Sequence, residues 1–247
     1  MVVSRTGILT VLLLLILVTP SVIAGPPFFT DDPEPVEYRH WEIYLASQYL
    51  KTGDDRTGTA PHMEVNYGAY PSLQLHTQTP AAFDYPTGGS MAYGYGDTEF
   101  GVKYRFLKET DTHPQIGIFP IVEATTGDED RGLGNGKAQI FLPLWLQKSW
   151  GRWTSYGGGG YWINPGVGNK NWGFVGWHLE RDLSKYLTLG GEIFHRTADT
   201  VGVDGGTGFT GGGQINFNEH YHFLFSAGTD ITGPEHLTQY LAIQWTS

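Results

Sequence analysis

From Trp41 onward, apolar and polar residues alternate with a period of two, the pattern of a β-strand that has one apolar face. The clearest example is residues 98–106, where one face carries Thr98, Phe100, Val102, Tyr104 and Phe106. Similar segments cover residues 41–50, 63–69, 73–78, 115–125, 172–182, 187–196, 207–217, 221–230 and 236–245. With two further strands in residues 137–163, the pattern predicts twelve strands.

The hairpin predicted in residues 137–163 is long and rich in aromatic residues. Two apolar runs of about ten residues flank a tight break at residues 150–153, and each is long enough for a strand that crosses a bilayer. The glycine run 157–160 would weaken a helix, whereas the β-branched and aromatic residues around it favour a pleated surface. This stretch therefore predicts a membrane hairpin.

The connections between strands alternate in length. Those around residues 70–72, 108–113, 150–153, 183–186 and 218–220 are short, whereas those around 51–62, 79–96, 126–136 and 197–206 are long and polar. Short turns at one end and long loops at the other are typical of outer-membrane barrels. Closure also leaves no unpaired sheet edge in lipid. The prediction is all-β: a transmembrane antiparallel up-and-down β-barrel of about twelve strands, with a soluble all-β fold as the alternative.

The first forty residues differ from the rest of the chain. Arg5 and the apolar run 8–18 have the features of a signal peptide, with cleavage predicted after Ala24; the run is short for a helical span, although an uncleaved anchor is the alternative. Residues 25–40 are rich in proline and acidic residues, which predicts an extended leader. This leader lies either in the periplasm or inside the barrel. The predicted division is therefore a signal peptide at 1–24, a leader at 25–40 and one barrel domain at 41–247.

The composition of the chain limits the classes of possible partner. The formal net charge is −10, which argues against nucleic acid and against docking on anionic lipid through a basic patch. The chain has no cysteine, so no disulfide stabilises it. The expected partners are outer-membrane lipid and a small-molecule solute.

Aromatic residues cluster near the strand ends on the short-turn side, where an interface girdle would lie. They are Trp41, Tyr70, Trp150, Trp153, Tyr186, Tyr221 and Trp245. For each residue alone, ordinary packing is the alternative.

Charged residues in the opposite phase predict a polar lumen, because Lys or Arg facing lipid near the midplane would cost ~2–4 kcal/mol. They are Glu42, Glu64, Glu99, Lys103, Arg105, Glu123, Glu192 and Arg196. Two interpretations remain open: these residues line a pore, or they pair across a narrow barrel and fill it.

Two prolines interrupt predicted strands. Pro120 and Pro143 each lack the N–H group that a central strand needs, and the intervening loop places them almost opposite each other. This predicts a kink in the wall, either a side exit for apolar solutes or a bulge that aids curvature.

The remaining motifs give weaker evidence of a binding or catalytic site. Residues 132–137 resemble a phosphate loop but lack the Ser or Thr after the lysine. The acidic residues within 127–130 could hold Ca²⁺, but a solvated acidic loop is the favoured interpretation. The two histidines within 219–222 could bind another metal, but a solvated turn is favoured there. A hydrolase would use residues such as His76, His195 and Asp230, but these are scattered and no nucleophile motif accompanies them. We predict no metal, no cofactor and no enzymatic activity.

Several motifs resemble a known family. They are PFFTDDP at residues 27–33, HWE at 40–42, GNGK at 134–137, FLPLWLQKSWG at 141–151 and YGGGGYWINPG at 156–166. The chain is similar in these to the outer-membrane, transporter-like proteins grouped under the meta-pathway of phenol degradation. The resemblance implies a Gram-negative outer-membrane barrel linked by name to aromatic catabolism, with no catalytic residues to transfer.

Taken together, the patterns predict a passive, porin-like channel for small molecules, aromatic or apolar ones among them. A non-conducting structural or interaction barrel with a plugged lumen is the alternative, and a barrel-embedded hydrolase is the third hypothesis.

Overall fold

The computed structural model describes residues 26–234 and 236–247, so the predicted signal peptide and its cleavage point lie outside the described residues. Within these residues, one short 3-10 turn, Glu129–Arg131, interrupts an otherwise all-β structure. The strands are β1 Trp41–Thr52, β2 Asp55–Tyr70, β3 Leu73–Tyr85, β4 Ala92–Tyr95, β5 Thr98–Leu107, β6 Gln115–Ile118, β7 Ile121–Ala124, β8 Gln139–Trp150, β9 Trp153–Ile163, β10 Trp172–Ser184, β11 Leu187–Arg196, β12 Gly206–Asn216, β13 Tyr221–Thr232 and β14 His236–Thr246.

The strands close into a barrel. Each pairs antiparallel with its neighbours, and β14 returns to pair with β1 from Glu42↔Thr246 to Thr52↔His236. The segments β4 and β5 both pair with β3 and form one strand of the wall, and β6 and β7 likewise form one strand between β5 and β8. The predicted twelve-stranded antiparallel barrel is therefore confirmed.

Two of the predicted long loops are wrong. The connection between β1 and β2 is only the turn at Gly53 and Asp54, and β3 continues as far as Tyr85. Gly58, Ala60 and Pro61 hide the alternation in this part of β2, and a register shift between Thr59 and His62 absorbs the irregularity. Pairing continues there because the backbone hydrogen bonds do not require apolar side chains.

No helix within residues 26–234 and 236–247 is long and apolar enough to span a membrane.

The outer surface of the barrel is apolar, whereas the inner surface is mainly polar. Large exposed side chains alternate with buried, mainly polar ones along most of the strands. The exposed set includes Leu45, Phe100, Val102, Leu142, Leu144, Ile193, Phe209, Leu241 and Ile243. A continuous apolar exterior around a polar interior is the pattern of a barrel that is surrounded by lipid.

A charge placed on this exterior is expected to destabilise the fold in lipid. Leu241 lies at the centre of β14 and is 52% exposed, so Leu241→Arg should lower the free energy of unfolding in lipid vesicles by ~2–4 kcal/mol. The matched control is Val167→Arg, because Val167 is fully exposed in the connection between β9 and β10 and should tolerate the charge. Equal unfolding free energies for both variants in a denaturant titration would contradict a lipid-facing exterior.

The aromatic residues predicted as a girdle lie at the short-turn end. Trp150 and Trp153 flank the two-residue turn between β8 and β9, and Tyr186 precedes β11. Trp41 and Tyr221 begin β1 and β13, while Trp245 pairs with Tyr221. Most of them are exposed, and their role as membrane-interface anchors stays a prediction.

Candidate functional site: the occupied lumen

The leader doubles back into the barrel at its junction with β1. Arg39 N–H donates to the Gly68 carbonyl at 2.7 Å, and Gly68 N–H donates to the His40 carbonyl at 3.1 Å. A side chain at Gly68 would collide with the backbone of Glu37, so only glycine permits this close approach. Residues 26–36, which we call the plug segment, consequently lie inside the lumen.

Three ion-pair contacts fix the acidic side of the plug segment to β5. The Lys103 ammonium lies 3.0 Å from a carboxylate oxygen of Asp31 and 3.7 Å from one of Asp32. Lys103 and Asp31 are both buried, so this attraction is poorly screened by solvent. Nearer the short turns, Arg105 lies 3.2 Å from Glu34.

Glu34 sits in a set of three donors from the wall. Arg105 contacts one carboxylate oxygen, while the side-chain amides of Gln115 and Gln147 donate to the other at 3.1 and 3.3 Å. Gln115 and Gln147 are cross-strand neighbours on β6 and β8. The wall therefore presents a donor array that matches a carboxylate.

Hydrogen bonds to the backbone hold the rest of the plug segment. The buried Glu192 carboxylate accepts the N–H groups of Phe29 and Thr30 at 2.9 and 2.8 Å. The Ser226 hydroxyl donates to the Pro27 carbonyl, and the Gln74 side-chain oxygen accepts the Val36 N–H at 2.8 Å. These contacts come from strands on different sides of the barrel, so the segment bridges the lumen.

Two phenylalanines of the plug segment pack on aromatic rings of the wall. The Phe28 ring centroid lies 4.1 Å from that of His178, and Phe29 lies 4.6 Å from Phe194. Phe28 is 1% exposed. Apolar packing thus supplements the polar contacts at mid-height in the barrel.

The opposite side of the lumen carries a buried polar network on β2, β3 and β5. Asn66 is its centre: its amide donates to Glu64 at 2.7 Å, and its oxygen accepts from Gln74 at 2.9 Å and contacts His76 Nδ1 at 2.8 Å. One strand further along the barrel, Gln78 donates to Glu99 at 2.9 Å. The lumen therefore has an acidic, amide-rich side and an aromatic side.

A cavity of about 570 Å³ lies beside the plug segment. Gln147, Ser149, Asp182 and Asn216, which adjoin the short turns, form part of its lining. The carboxylates of the lining outnumber its basic groups, of which Lys103 is one. The space next to the plug segment is thus polar and acidic.

The structure places seven of the eight charged candidates on the inner face within the wall. Glu64, Glu99, Lys103, Glu123 and Glu192 are buried, while Glu42 and Arg105 are partly exposed. Arg196 instead lies at the long-loop end of β11, 3.3 Å from Asp230 and in contact with His236. Whether these residues determine conduction stays a prediction.

The residues considered for hydrolysis do not come together. His76 lies in the lumen, His195 contacts Thr207 on the outer face, and Asp230 pairs with His236 at the long-loop end. Among residues 26–234 and 236–247, no three His, Cys, Asp or Glu side chains are grouped as a metal site would require.

Sequence patterns did not identify the partners of Lys103 and Arg105. Asp31, Asp32 and Glu34 lie about 70 residues away in the chain, in a segment without periodicity. The available signal was the coincidence of an acidic leader and inward-facing bases in one chain. That coincidence has meaning only if the leader enters the barrel.

Comparison with known proteins supports the fold. No protein-family model matches the chain, and no curated protein sequence matches it. An outer membrane channel from Pseudomonas putida F1 is similar in structure, with a TM-score of 0.72 and 14% identity over 87% of this chain and 98% of that one. The KdgM and NanC porins each have a TM-score of 0.57, at 7% and 6% identity, over 82% of this chain and 98% of theirs.

These likenesses establish the class of fold: a β-barrel of the kind seen in outer-membrane channels and porins. The resemblance to the phenol-degradation family stays a prediction.

Proposed function

We propose that this protein is a passive outer-membrane channel for small molecules, and that the plug segment occludes it reversibly. The observation that carries the proposal is the plug segment itself, held across a polar lumen beside a cavity of about 570 Å³. The similar structures, described as an outer membrane channel and porins, support it.

The contacts of the plug segment are suited to release. Most are hydrogen bonds and ion pairs, which water entering from the cavity can replace one at a time. The hinge at Arg39 and Gly68 keeps the segment attached to β1 when it leaves. Release requires no break in the ladder between β1 and β14, so the barrel remains closed.

The lining favours two kinds of solute. The excess of carboxylates, including Glu42, Glu64 and Glu99, favours neutral or cationic molecules over anions. The wall aromatic rings in the lining, Tyr44, Phe119 and Tyr156, offer stacking surface to aromatic solutes. Any flux follows the concentration gradient.

The second candidate is a non-conducting barrel in which the plug segment is permanent. The buried Lys103–Asp31 pair favours it, because withdrawing the segment separates two charges that the fold has already brought together.

A disulfide between plug and wall separates these candidates. A Cβ on Gly176 would lie against the Thr30 hydroxyl, and the chain has no native cysteine, so Thr30→Cys with Gly176→Cys should form a single defined bond. In a liposome-swelling assay with small neutral sugars, we expect no permeation by the oxidised protein and measurable permeation after reduction. The two single-cysteine variants serve as controls and should permeate in both conditions.

Equal background permeation by the oxidised, reduced and single-cysteine proteins would show that the barrel does not conduct, and it would favour the permanent plug.

A further inference from the structure

A continuous row of buried polar side chains climbs the inner face of the wall from the short-turn end toward the long loops. Its members are register partners on successive strands: Tyr44, Glu64, Gln78, Glu99, Glu123 and Gln139. Because the strands of a membrane barrel tilt by roughly 35–45°, a row of register partners rises along the barrel axis. Tyr44 accordingly lies near the start of β1 at the short-turn end, whereas Gln139 begins β8 at the long-loop end.

Two carboxylates of this row lie directly opposite each other. Glu99 on β5 and Glu123 on β7 are register partners, and the two residues are only 3% and 8% exposed. Like charges opposite each other on neighbouring strands destabilise a sheet. The wall therefore holds negative charge at this point that a cation would compensate.

One carboxylate oxygen of Glu123 is buried without a hydrogen-bond partner among the described residues. Glu99, by contrast, accepts from the Gln78 amide at 2.9 Å. The His76 Nε2 atom lies 3.9 Å from Glu99, which is beyond hydrogen-bond range. A buried acceptor without a donor is costly, so the unpaired oxygen of Glu123 indicates a site for a donor from a bound molecule.

A small cavity of about 40 Å³ adjoins the two carboxylates. Glu99, Glu123, Gln78 and Gln139 form part of its lining, and no Lys, Arg or His of the described residues does. A single water needs ~10–15 Å³, so this cavity has room for a charged head group but not for a whole organic solute.

The loop between β7 and β8 closes the small cavity at the long-loop end. The Asp97 carboxylate accepts the N–H groups of Gly127 and Asn135 at 2.8 and 2.6 Å, and these bonds fix the loop. Leu133 and Gly134 consequently form the outer part of the lining, with Leu133 only 2% exposed. Charges in such an enclosed place attract an opposite charge more strongly than they would in open water.

The small cavity borders the large one. Gln78 and Glu99 line both, so a molecule can extend from one cavity into the other past these two side chains. The large cavity, of about 570 Å³, has room for the organic body of a molecule whose head group occupies the small cavity.

The acceptors around the small cavity suit an ammonium group better than a metal ion. Gln78 donates through its amide nitrogen to Glu99 at 2.9 Å. Gln139 donates in the same way to Asn164 at 2.5 Å, so the amide oxygen of each glutamine remains an acceptor. With the two glutamates, these oxygens can accept the three N–H bonds of a primary ammonium. A metal such as Ca²⁺ needs about six to eight oxygen ligands, and the loop already occupies both oxygens of Asp97.

We propose that Glu99 and Glu123 form a binding site for the ammonium group of a small organic amine, whose body lies in the large cavity. The inference rests on the proposed channel function, because the amine reaches the site through the lumen, and it narrows the class of solute to cations that carry N–H donors. Glu64, lower in the row, offers such a cation a further carboxylate along the wall.

Calorimetric titration of the full-length protein in detergent micelles at neutral pH tests this site. The probe is n-butylamine, which is protonated at this pH as a lysine side chain is, and 1-butanol is its uncharged counterpart. We expect saturable binding of one butylamine per barrel and no binding of butanol. Equal heats from the two compounds would show partition into the micelle only and would overturn the site.

Two variants locate the binding. Glu123→Gln and Glu99→Gln each keep the shape of the side chain and remove its charge, so each should weaken butylamine binding at least tenfold. The matched control is Glu109→Gln, the same change at a partly exposed residue that pairs with Lys148 beside a short turn, and its affinity should stay within twofold of the wild type. Unchanged affinity in both lumen variants would overturn the site, as would saturable binding of Ca²⁺ from calcium chloride in place of butylamine.

Glu123→Gln should also raise the unfolding temperature of the amine-free protein, measured by heat-dependent mobility in gel electrophoresis. The substitution removes one of two like charges that lie directly opposite each other. A lower unfolding temperature would show that the free protein already compensates this charge, and it would overturn the site.

Conductance distinguishes this failure from that of the channel, because the titration does not require passage through the barrel. Saturable amine binding by a protein that is silent in planar bilayers would support the site and remove the channel. Ion currents without amine binding would overturn the site alone.

Discussion

Lys103→Met is expected to release the plug segment and to convert a mostly closed barrel into a mostly open one. The substitution keeps the length of the side chain but removes the ammonium that pairs with Asp31 at 3.0 Å. Asp31 is buried, and removing one partner of a buried pair costs roughly 3–5 kcal/mol. Since ~1.4 kcal/mol corresponds to a factor of ten, the equilibrium should move toward the released state by roughly two to four orders of magnitude. Open probability in planar bilayers measures this change.

Lys148→Met provides the matched control. Lys148 pairs with Glu109 at 2.8 Å beside a short turn, where both side chains are partly exposed. Burial alone would raise the pKa of Glu109, but the Lys148 ammonium and the Ser149 N–H lower that pKa below its usual value. Such surface pairs contribute ~0–1 kcal/mol, so open probability should not change. If Lys103→Met stayed as closed as this control, Lys103 would not be the residue that holds the plug segment.

Deleting residues 27–36 is expected to have the largest effect, because it removes the plug and leaves the hinge at Arg39 and Gly68 intact. The remaining wall still carries more acidic than basic groups, with Glu42, Glu64, Glu99, Glu123 and Glu192 against Lys103 and Arg105. The open barrel should therefore prefer cations. The reversal potential in a salt gradient measures this preference, and a value that indicates anion selectivity would contradict the acidic lumen.

The same deletion should leave the barrel folded. The ladders from β1 through β14 do not include residues 27–36, so closure does not depend on them. Heat-dependent mobility in gel electrophoresis checks this point before any electrical measurement. Loss of the folded form would show that the plug segment is part of the core.

The wall of this barrel could be predicted from the sequence because a strand in lipid must alternate. Phe100, Val102 and Tyr104 lie outward as the period of two requires, and the hairpin of β8 and β9 turns between Trp150 and Trp153. Because the alternation is a local pattern, each strand can be predicted from its own residues, without knowledge of the strand with which it pairs.

Residues 55–62, at the start of β2, and the plug segment could not be predicted in the same way. Residues 55–62 pair through backbone groups while Gly58 and Pro61 hide the alternation. The contacts of Asp31 and Glu34 depend on side chains about 70 residues away, and nothing in a proline-rich segment indicates which wall it will meet. Long-range charge pairing leaves no periodic trace in a single sequence.

The prolines show an intermediate case. The sequence predicts a kink at both Pro120 and Pro143, but β8 continues through Pro143 while the neighbouring strand divides into β6 and β7. Pro143 keeps its pairing with Gly160 on β9, because its missing N–H faces the other neighbour. The positions of the prolines in the sequence show where the hydrogen-bond ladder is interrupted. The side toward which each missing N–H would point determines which strand divides.

Single-channel conductance of the full-length protein and of the protein without residues 27–36, in the same planar bilayer, tests most directly whether a plugged channel is present. We predict that the full-length protein is closed most of the time, with brief openings, and that the shortened protein conducts steadily at a manyfold higher mean current. Silence of both folded proteins at every voltage would contradict the channel. Equal steady currents from both would contradict the plug.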